Sequence, residues 1–356
     1  MYSIVAPTDF TDPAGYASAE VARPEIKSSN EVLIRVHAGS VNPVDVKKAD
    51  GIFKMAITEQ FPYQIGYDAA GVIEATGPAV RSFKVGDEIY VRLPEVSRGS
   101  WSEYAVCADD KIALKPKSIS LSDAASLPLA ATTALQSLQR YRGSLKGKTV
   151  FVPAGLGGTG AYACQLAKNV FGAGKVITTV STSKIAKVPE FLGDGVVDQI
   201  IDYTKEDPIR AIPQGSVDFL FDTTGQSMAF LGLMTPKTSM IVSIATAPSG
   251  STLQASGVMQ RPDKPRLPLV GLLFLNAGDA VRRVRAWRWG VEYLYLFMEP
   301  SGENLKQLAG YVDEGKLRPV VGSRVDIRDI KAVRDACMQV YKGKGGIGKA
   351  VLEFRD

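Results

Sequence analysis

Six residues near the middle of the chain, Gly155, Leu156, Gly157, Gly158, Thr159 and Gly160, have the composition and spacing to hold a pyrophosphate. They follow an apolar run, residues 149–154, that reads as a buried strand, and they precede residues 161–168, which read as a helix. In that setting glycine at 155 permits a tight turn, at 157 a close approach of backbone to phosphate, and at 160 close packing of helix on strand. The helix start then presents N–H groups and a partial positive charge to an anion. The competing reading is a Gly-rich turn of purely structural use, and the strand-to-helix setting disfavours it.

The next strand decides which dinucleotide fits. An Asp or Glu about 20 residues beyond the loop would hold a ribose 2′-hydroxyl. Residues 176–180 open instead into Ser181, Thr182, Ser183 and Lys184, whose hydroxyls and ammonium suit a 2′-phosphate through charge-assisted hydrogen bonds. This predicts NADPH as cofactor; the plain alternative for Lys184 is an exposed lysine at a helix start. Metal chemistry has little to work with. The one histidine, His37, lies in a strand-like run, and Cys107, Cys164 and Cys337 are far apart and in no paired spacing.

Elements of two textures must position these residues. Residues 1–125 carry short β-rich runs at 31–36, 70–75, 87–91 and 102–106, punctuated by Gly and Pro, which predict a barrel-like antiparallel unit. From about residue 126 helices alternate with apolar strands: helix 124–141, strand 149–154, helix 159–171, then strands 176–180, 199–202, 217–222 and 240–245. That alternation predicts βαβ units and a parallel sheet. Past residue 299 come a helix at 302–314, a strand at 319–325, a helix at 329–341 and a last strand at 350–354, a tail expected to return to the first unit. The expected division is therefore 1–125 with 299–356, and 126–298.

At 356 residues and 45% hydrophobic content the chain can fill two cores. No apolar run reaches the roughly 18 residues that a membrane-spanning helix needs, and residues 1–10 do not read as a secretion signal. Together with the unpaired cysteines this predicts a cytoplasmic protein. The net charge of +5 is spread among acidic residues, which favours small anionic ligands over nucleic acid. One stretch stands apart, residues 281–290, where Arg282, Arg283, Arg285 and Arg288 accompany Trp287 and Trp289. If Asp279 caps a helix there, Val281, Val284, Trp287 or Arg288, and Val291 follow helical spacing along one face, and an ordinary packed surface helix is expected. A membrane- or RNA-contacting basic helix and a roof over the substrate cleft are the other readings.

Several motifs in order, Ser40–Lys47 (SVNPVDVK), residues 66–71 (GYDAAG), Val85-Gly-Asp87, Leu127-Pro-Leu-Ala130 with Thr133, the loop at 155–160, residues 201–204 (IDYT), 315–319 (GKLRP) and Gly348-Lys349, resemble the medium-chain dehydrogenase/reductase superfamily, in its zinc-free quinone oxidoreductase and enone (alkenal) reductase branch. The resemblance implies an α/β architecture: a GroES-like β-barrel catalytic domain plus a Rossmann domain with a doubly wound parallel sheet. Residues 272–300 are similar to reticulon-interacting mitochondrial oxidoreductases and to fungal tailoring dehydrogenases of polyketide pathways. Zinc-dependent members carry a Cys where this chain has Asn42 and Gly-His-Glu where it has Gly66-Tyr67-Asp68, so no metal is expected.

Hydride transfer by positioning remains, to a substrate electrophilic in its own right, an activated C=C or a quinone. The resemblance puts Asn42 and Lys47 near the nicotinamide, with Lys47 the first choice for the oxyanion contact and Tyr67 the second, as proton donor. It also puts Thr133 beside the nicotinamide, Tyr203 by the 2′-phosphate, Phe297 and Met298 at the carboxamide edge, Lys349 near the pyrophosphate or ribose, and Thr224 and Gly225 on the cofactor through backbone. A metal-free ketone reductase and a non-catalytic NADPH-binding interaction protein are the alternatives. A monomer or homodimer is expected.

Overall fold

The computed structural model describes residues 1–343 and 346–355. Residues 149–295 build a six-stranded sheet in the order Gln199–Asp202, Lys175–Val180, Thr149–Val152, Phe219–Asp222, Met240–Ser243 and Glu292–Tyr295, parallel at every pairing. Its strands are apolar at successive positions because both faces are covered. Val150, Val152, Val176, Phe219 and Val242 point to one core, with helices Pro128–Leu138, Gly160–Asn169 and Gly302–Asp313. Phe151, Ile177, Leu220 and Ile241 point to the other, against Phe230 and Ala286. This is the doubly wound Rossmann arrangement, and strand order reverses between Lys175–Val180 and Phe219–Asp222, on either side of Thr149–Val152.

The other sheet is built around Glu31–Val41. It runs Val321–Asp326, Lys349–Glu353, Glu31–Val41, Asp68–Thr76, Glu88–Arg92, Ile112–Leu114, and Tyr104–Ala108 pairs with the first half of the central strand. Register shifts between Leu33 and Ile34 and between Val36 and Ala38 bend that 11-residue strand. Its second half then pairs with Lys349–Glu353, setting Ala350 opposite Val41. Two strands from the end of the chain thus complete a sheet begun at residue 31, a GroES-like unit, and Lys349 arrives beside Asn42.

Two expectations change. The helix expected at 124–141 is two pieces, Leu121–Ala124 and Pro128–Leu138, because proline is suited to a helix's first turn rather than its interior. The basic Trp-containing stretch belongs to a helix that starts at Leu269 and ends at Arg288. Asp279 does not cap it. It is buried in the middle and accepts from Arg283 Nε at 2.6 Å, one turn on. Val281, Val284 and Trp287 are exposed rather than packed.

Candidate active site

The Gly155–Gly160 loop owes its shape to close packing. A Cβ on Gly155 would lie 2.0 Å from Thr178 Oγ1, and one on Gly160 would lie 2.4 Å from the Ala154 carbonyl. Gly157 and Gly158 are less confined, at 3.0 Å from the Ala154 carbonyl and 3.2 Å from Lys349 Cδ. Helix Gly160–Asn169 begins after Thr159 without a side-chain cap, so its first turn is built to receive an acceptor from outside the helix. Gly348 N donates to Leu156 O at 2.8 Å, fastening the loop to the strand that carries Lys349.

Asp68 is the centre of a buried polar cluster beside that loop. It accepts from Ser40 Oγ at 2.8 Å, Asn42 Nδ2 at 2.9 Å and Leu129 N at 2.9 Å. Lys349 Nζ donates to Val41 O at 2.9 Å and to Asn42 Oδ1, and lies 3.7 Å from Asp68. All of Ser40, Asn42, Asp68 and Lys349 are buried. Burial pushes the Asp68 carboxyl up and the Lys349 ammonium down, and their mutual attraction opposes both shifts. Asn42 is fixed from both ends, its amide by a carboxylate and its carbonyl by an ammonium.

Asp45 sits one turn into the Pro43–Ala49 helix and accepts from Asn42 N at 2.6 Å. Burial, with Asp68 nearby, raises its carboxyl to about 7. Because the folded value lies above the unfolded one, near 4, the folded chain binds the extra proton and stability falls as pH rises from about 4 to about 7. Replacing Asp45 with Asn, which keeps an acceptor for Asn42 N, should flatten the melting temperature across that window. Parallel profiles for the two proteins would assign the titration elsewhere.

A second buried cluster adjoins the first; of its members only Tyr67 is expected from the sequence, and Lys48, Glu59, Glu95, Arg98 and Arg261 are not. Tyr67 Oη donates to Glu95 Oε2 at 2.6 Å, and Lys48 Nζ donates to Glu95 and, at 3.3 Å, to Tyr67 Oη. Arg98 pairs with both Glu59 and Glu95. Arg261, from the segment between strands Met240–Ser243 and Glu292–Tyr295, reaches Glu59 at 2.6 Å, beside an apolar seam of Ile57, Val258 and Met259. The inward lysine of the Pro43–Ala49 helix is therefore Lys48, while Lys47 is exposed. Tyr67 is fully buried, its phenol is pushed well above the usual range by burial, and its proton points at a carboxylate.

The remaining expected residues are scattered along the loop side. Thr133 is buried and donates to Leu129 O at 2.7 Å. Ser181 and Lys184 are half-buried, Ser183 and Tyr203 exposed. Lys184 Nζ donates to Gly346 O at 2.9 Å, and burial lowers its ammonium. A carboxylate does stand near them, from one strand further on: Asp202 accepts from Thr182 Oγ1 and Thr204 Oγ1. The N–H groups of Thr224 and Gly225 donate to buried Asp222, at 3.1 and 2.8 Å, which leaves their carbonyls for any ligand. Phe297 and Met298 are half-buried, with Phe297 edge-on to Tyr295 at 5.0 Å.

Residues 28–117 match the alcohol dehydrogenase GroES-like domain, and residues 197–352 match the zinc-binding dehydrogenase domain. The 2-methylene-furan-3-one reductase of Solanum lycopersicum is 34% identical over 340 residues, covering 94% of this chain and 74% of that protein. The chloroplastic NADPH-dependent alkenal/one oxidoreductase of Arabidopsis thaliana is 35% identical over 309 residues, 85% of this chain and 67% of that one. Among solved structures, the quinone oxidoreductase from Coxiella burnetii superposes with a TM-score of 0.80 at 28% identity, over 100% of this chain and 99% of that chain.

A zinc ion, which the second domain's name brings up, does not fit the donors present. Among the described residues no three His, Cys, Asp or Glu side chains converge. The Asn42–Asp68 pair already has a cation of its own in Lys349.

Proposed function

Because the chain belongs to the medium-chain dehydrogenase/reductase superfamily, with the quinone and alkenal/enone oxidoreductases as relatives, we propose that it uses NADPH, without zinc, to reduce an activated C=C or a quinone. One side chain carries the reading. The stem of Lys349 lies against Gly158 of the phosphate loop while its ammonium ends on Asn42 and near Asp68. Phosphate cradle and buried polar cluster are thereby joined, and a dinucleotide seated in the first brings its reactive end toward the second.

The loop and the helix start at Gly160 take the pyrophosphate. Lys184 has N–H donors beyond the one given to Gly346, and with Ser181 and Ser183 it takes the 2′-phosphate, Tyr203 lying alongside. Thr133, Phe297 and Met298 wall the nicotinamide, and Thr224 and Gly225 offer carbonyls. Bound NADPH supplies the hydride. Addition to the β-carbon of an enone leaves negative charge on the carbonyl oxygen, and a fixed donor there stabilises it.

Asn42 is the group we assign to that oxygen, through the Nδ2 hydrogen that Asp68 does not take. Lys47 and Tyr67 follow as second choices, since the first stands in solvent and the second gives its proton to Glu95. A polyketide-type enone falls within the proposed substrate class, and the cytosol is our assignment for the reaction.

The test is loss of NADPH absorbance with a panel of enones and quinones. Tight NADPH binding with no turnover on any of them would overturn the proposal. Lys184→Glu should raise the KM for NADPH by about tenfold to a hundredfold, the worth of a hydrogen bond to a charged group, and leave that for NADH nearly unchanged. Equal effects on both would remove the 2′-phosphate assignment.

A further inference from the structure

The Leu269–Arg288 helix turns the wrong side outward for a protein that ends at its own surface. At about 100° per residue, Val270, Leu273, Phe274, Val281, Val284 and Trp287 fall within one arc of about 140°, and all six are exposed. Val270 is 81% exposed, Phe274 77% and Trp287 76%. Arg283 borders the arc on one side and Arg285 on the other, both exposed, and Arg288 stands within it near its end. The side that faces the protein is narrow, represented by buried Asp279 and Ala286. Exposed Lys264 and Arg266 lie just before the helix.

We propose that this helix is a docking surface for an anionic phospholipid bilayer, lying in the plane of the interface. An apolar face with Leu, Phe and Trp flanked by arginines is the composition that buries into the headgroup boundary, with the cations on the phosphates. At 20 residues the helix is about 30 Å long, and it lies on the membrane rather than across it, since no helix among the described residues is long and apolar enough to span. Charge decides against a second copy of this chain as the occupant. Asp279 is the helix's one acidic residue and is already paired with Arg283, so two copies joined through this stripe would set cation against cation.

The test is flotation of the whole protein with vesicles of phosphatidylcholine alone and of phosphatidylcholine mixed with phosphatidylserine. The protein should float with the anionic vesicles, and high salt should weaken the association. R285E/R288E should lower partitioning by at least about twenty-five-fold, taking about fivefold for each cation lost near an anionic surface. F274S/W287S should lose it as well. Both variants change exposed side chains, so melting temperature and turnover in the absence of vesicles should match the parent. Equal binding to neutral and anionic vesicles, binding untouched by either variant, or no binding at all would overturn the proposal. So would a dimer, seen by light scattering, that both variants dissolve.

Discussion

Replacing Lys349 with Met should cost about 3 to 5 kcal/mol of folding stability at neutral pH, the usual result of removing one partner from a buried ion pair. The methionine fills much of the same stem volume, so the loss is mostly that of the charge. Asp68, fully buried, would keep its hydrogen bonds from Ser40, Asn42 and Leu129 but lose the only cation within 4 Å of it among the described residues. Its carboxyl, already raised by burial, would rise further. The folded state would then bind a proton more readily than the unfolded one, so the deficit should be small at pH 5 and grow as pH increases toward 8. Urea unfolding at the two pH values reads this directly. A second change, Asp68→Asn, should recover part of the loss, with a coupling of about 1 kcal/mol or more between the sites. A Lys349→Met variant within about 0.5 kcal/mol of the parent at both pH values would mean that the pair contributes nothing. Turnover should fall with it, because Asn42 loses the group that fixes its carbonyl end.

How much of this was legible beforehand differs by distance along the chain. The phosphate loop is a local pattern, and strand, glycines and helix appear where residues 149–169 place them. The polar cluster is partly legible, since Asn42 and Lys349 each stand in a recognisable motif. Their meeting depends on the pairing of Ala350 with Val41, and nothing local announces a contact 307 residues long. The Lys47 and Lys48 pair shows a different limit. Helix Pro43–Ala49 has seven residues, about two turns, too few for its spacing to decide which of two adjacent lysines faces inward. Arg261 was invisible for the same reason as Lys349, reaching Glu59 across 202 residues. In the 269–288 helix the spacing does put Val281 and Val284 on one apolar face, but that face turns outward, and Val291, expected with them, lies past the helix end and is buried. Spacing identifies an apolar stripe but not whether it faces this protein's own core or away from it.

The glycines of the loop should separate shape from ligand contact. Gly160→Ala puts a methyl 2.4 Å from the Ala154 carbonyl, and because that neighbour is backbone, the loop or the helix start must shift. A displacement of that size moves the N–H groups that the pyrophosphate would use, so NADPH affinity should fall by a hundredfold or more, about 3 kcal/mol, together with some loss of stability. Gly158→Ala meets Lys349 Cδ at 3.2 Å and the Gly348 carbonyl at 3.5 Å, the second an ordinary contact and the first a crowding that the lysine stem must relieve by a few tenths of an ångström. Its stability should stay near that of the parent, while its methyl stands over the side of the loop that faces Lys349. If the dinucleotide passes between loop and lysine, Gly158→Ala should weaken NADPH binding with little change in melting temperature. Unchanged affinity in Gly158→Ala would place the pyrophosphate on the other side of the loop, away from Lys349, and would detach the phosphate cradle from the Asn42–Asp68 cluster. Isothermal titration with NADPH on both variants, alongside their melting curves, distinguishes the two geometries.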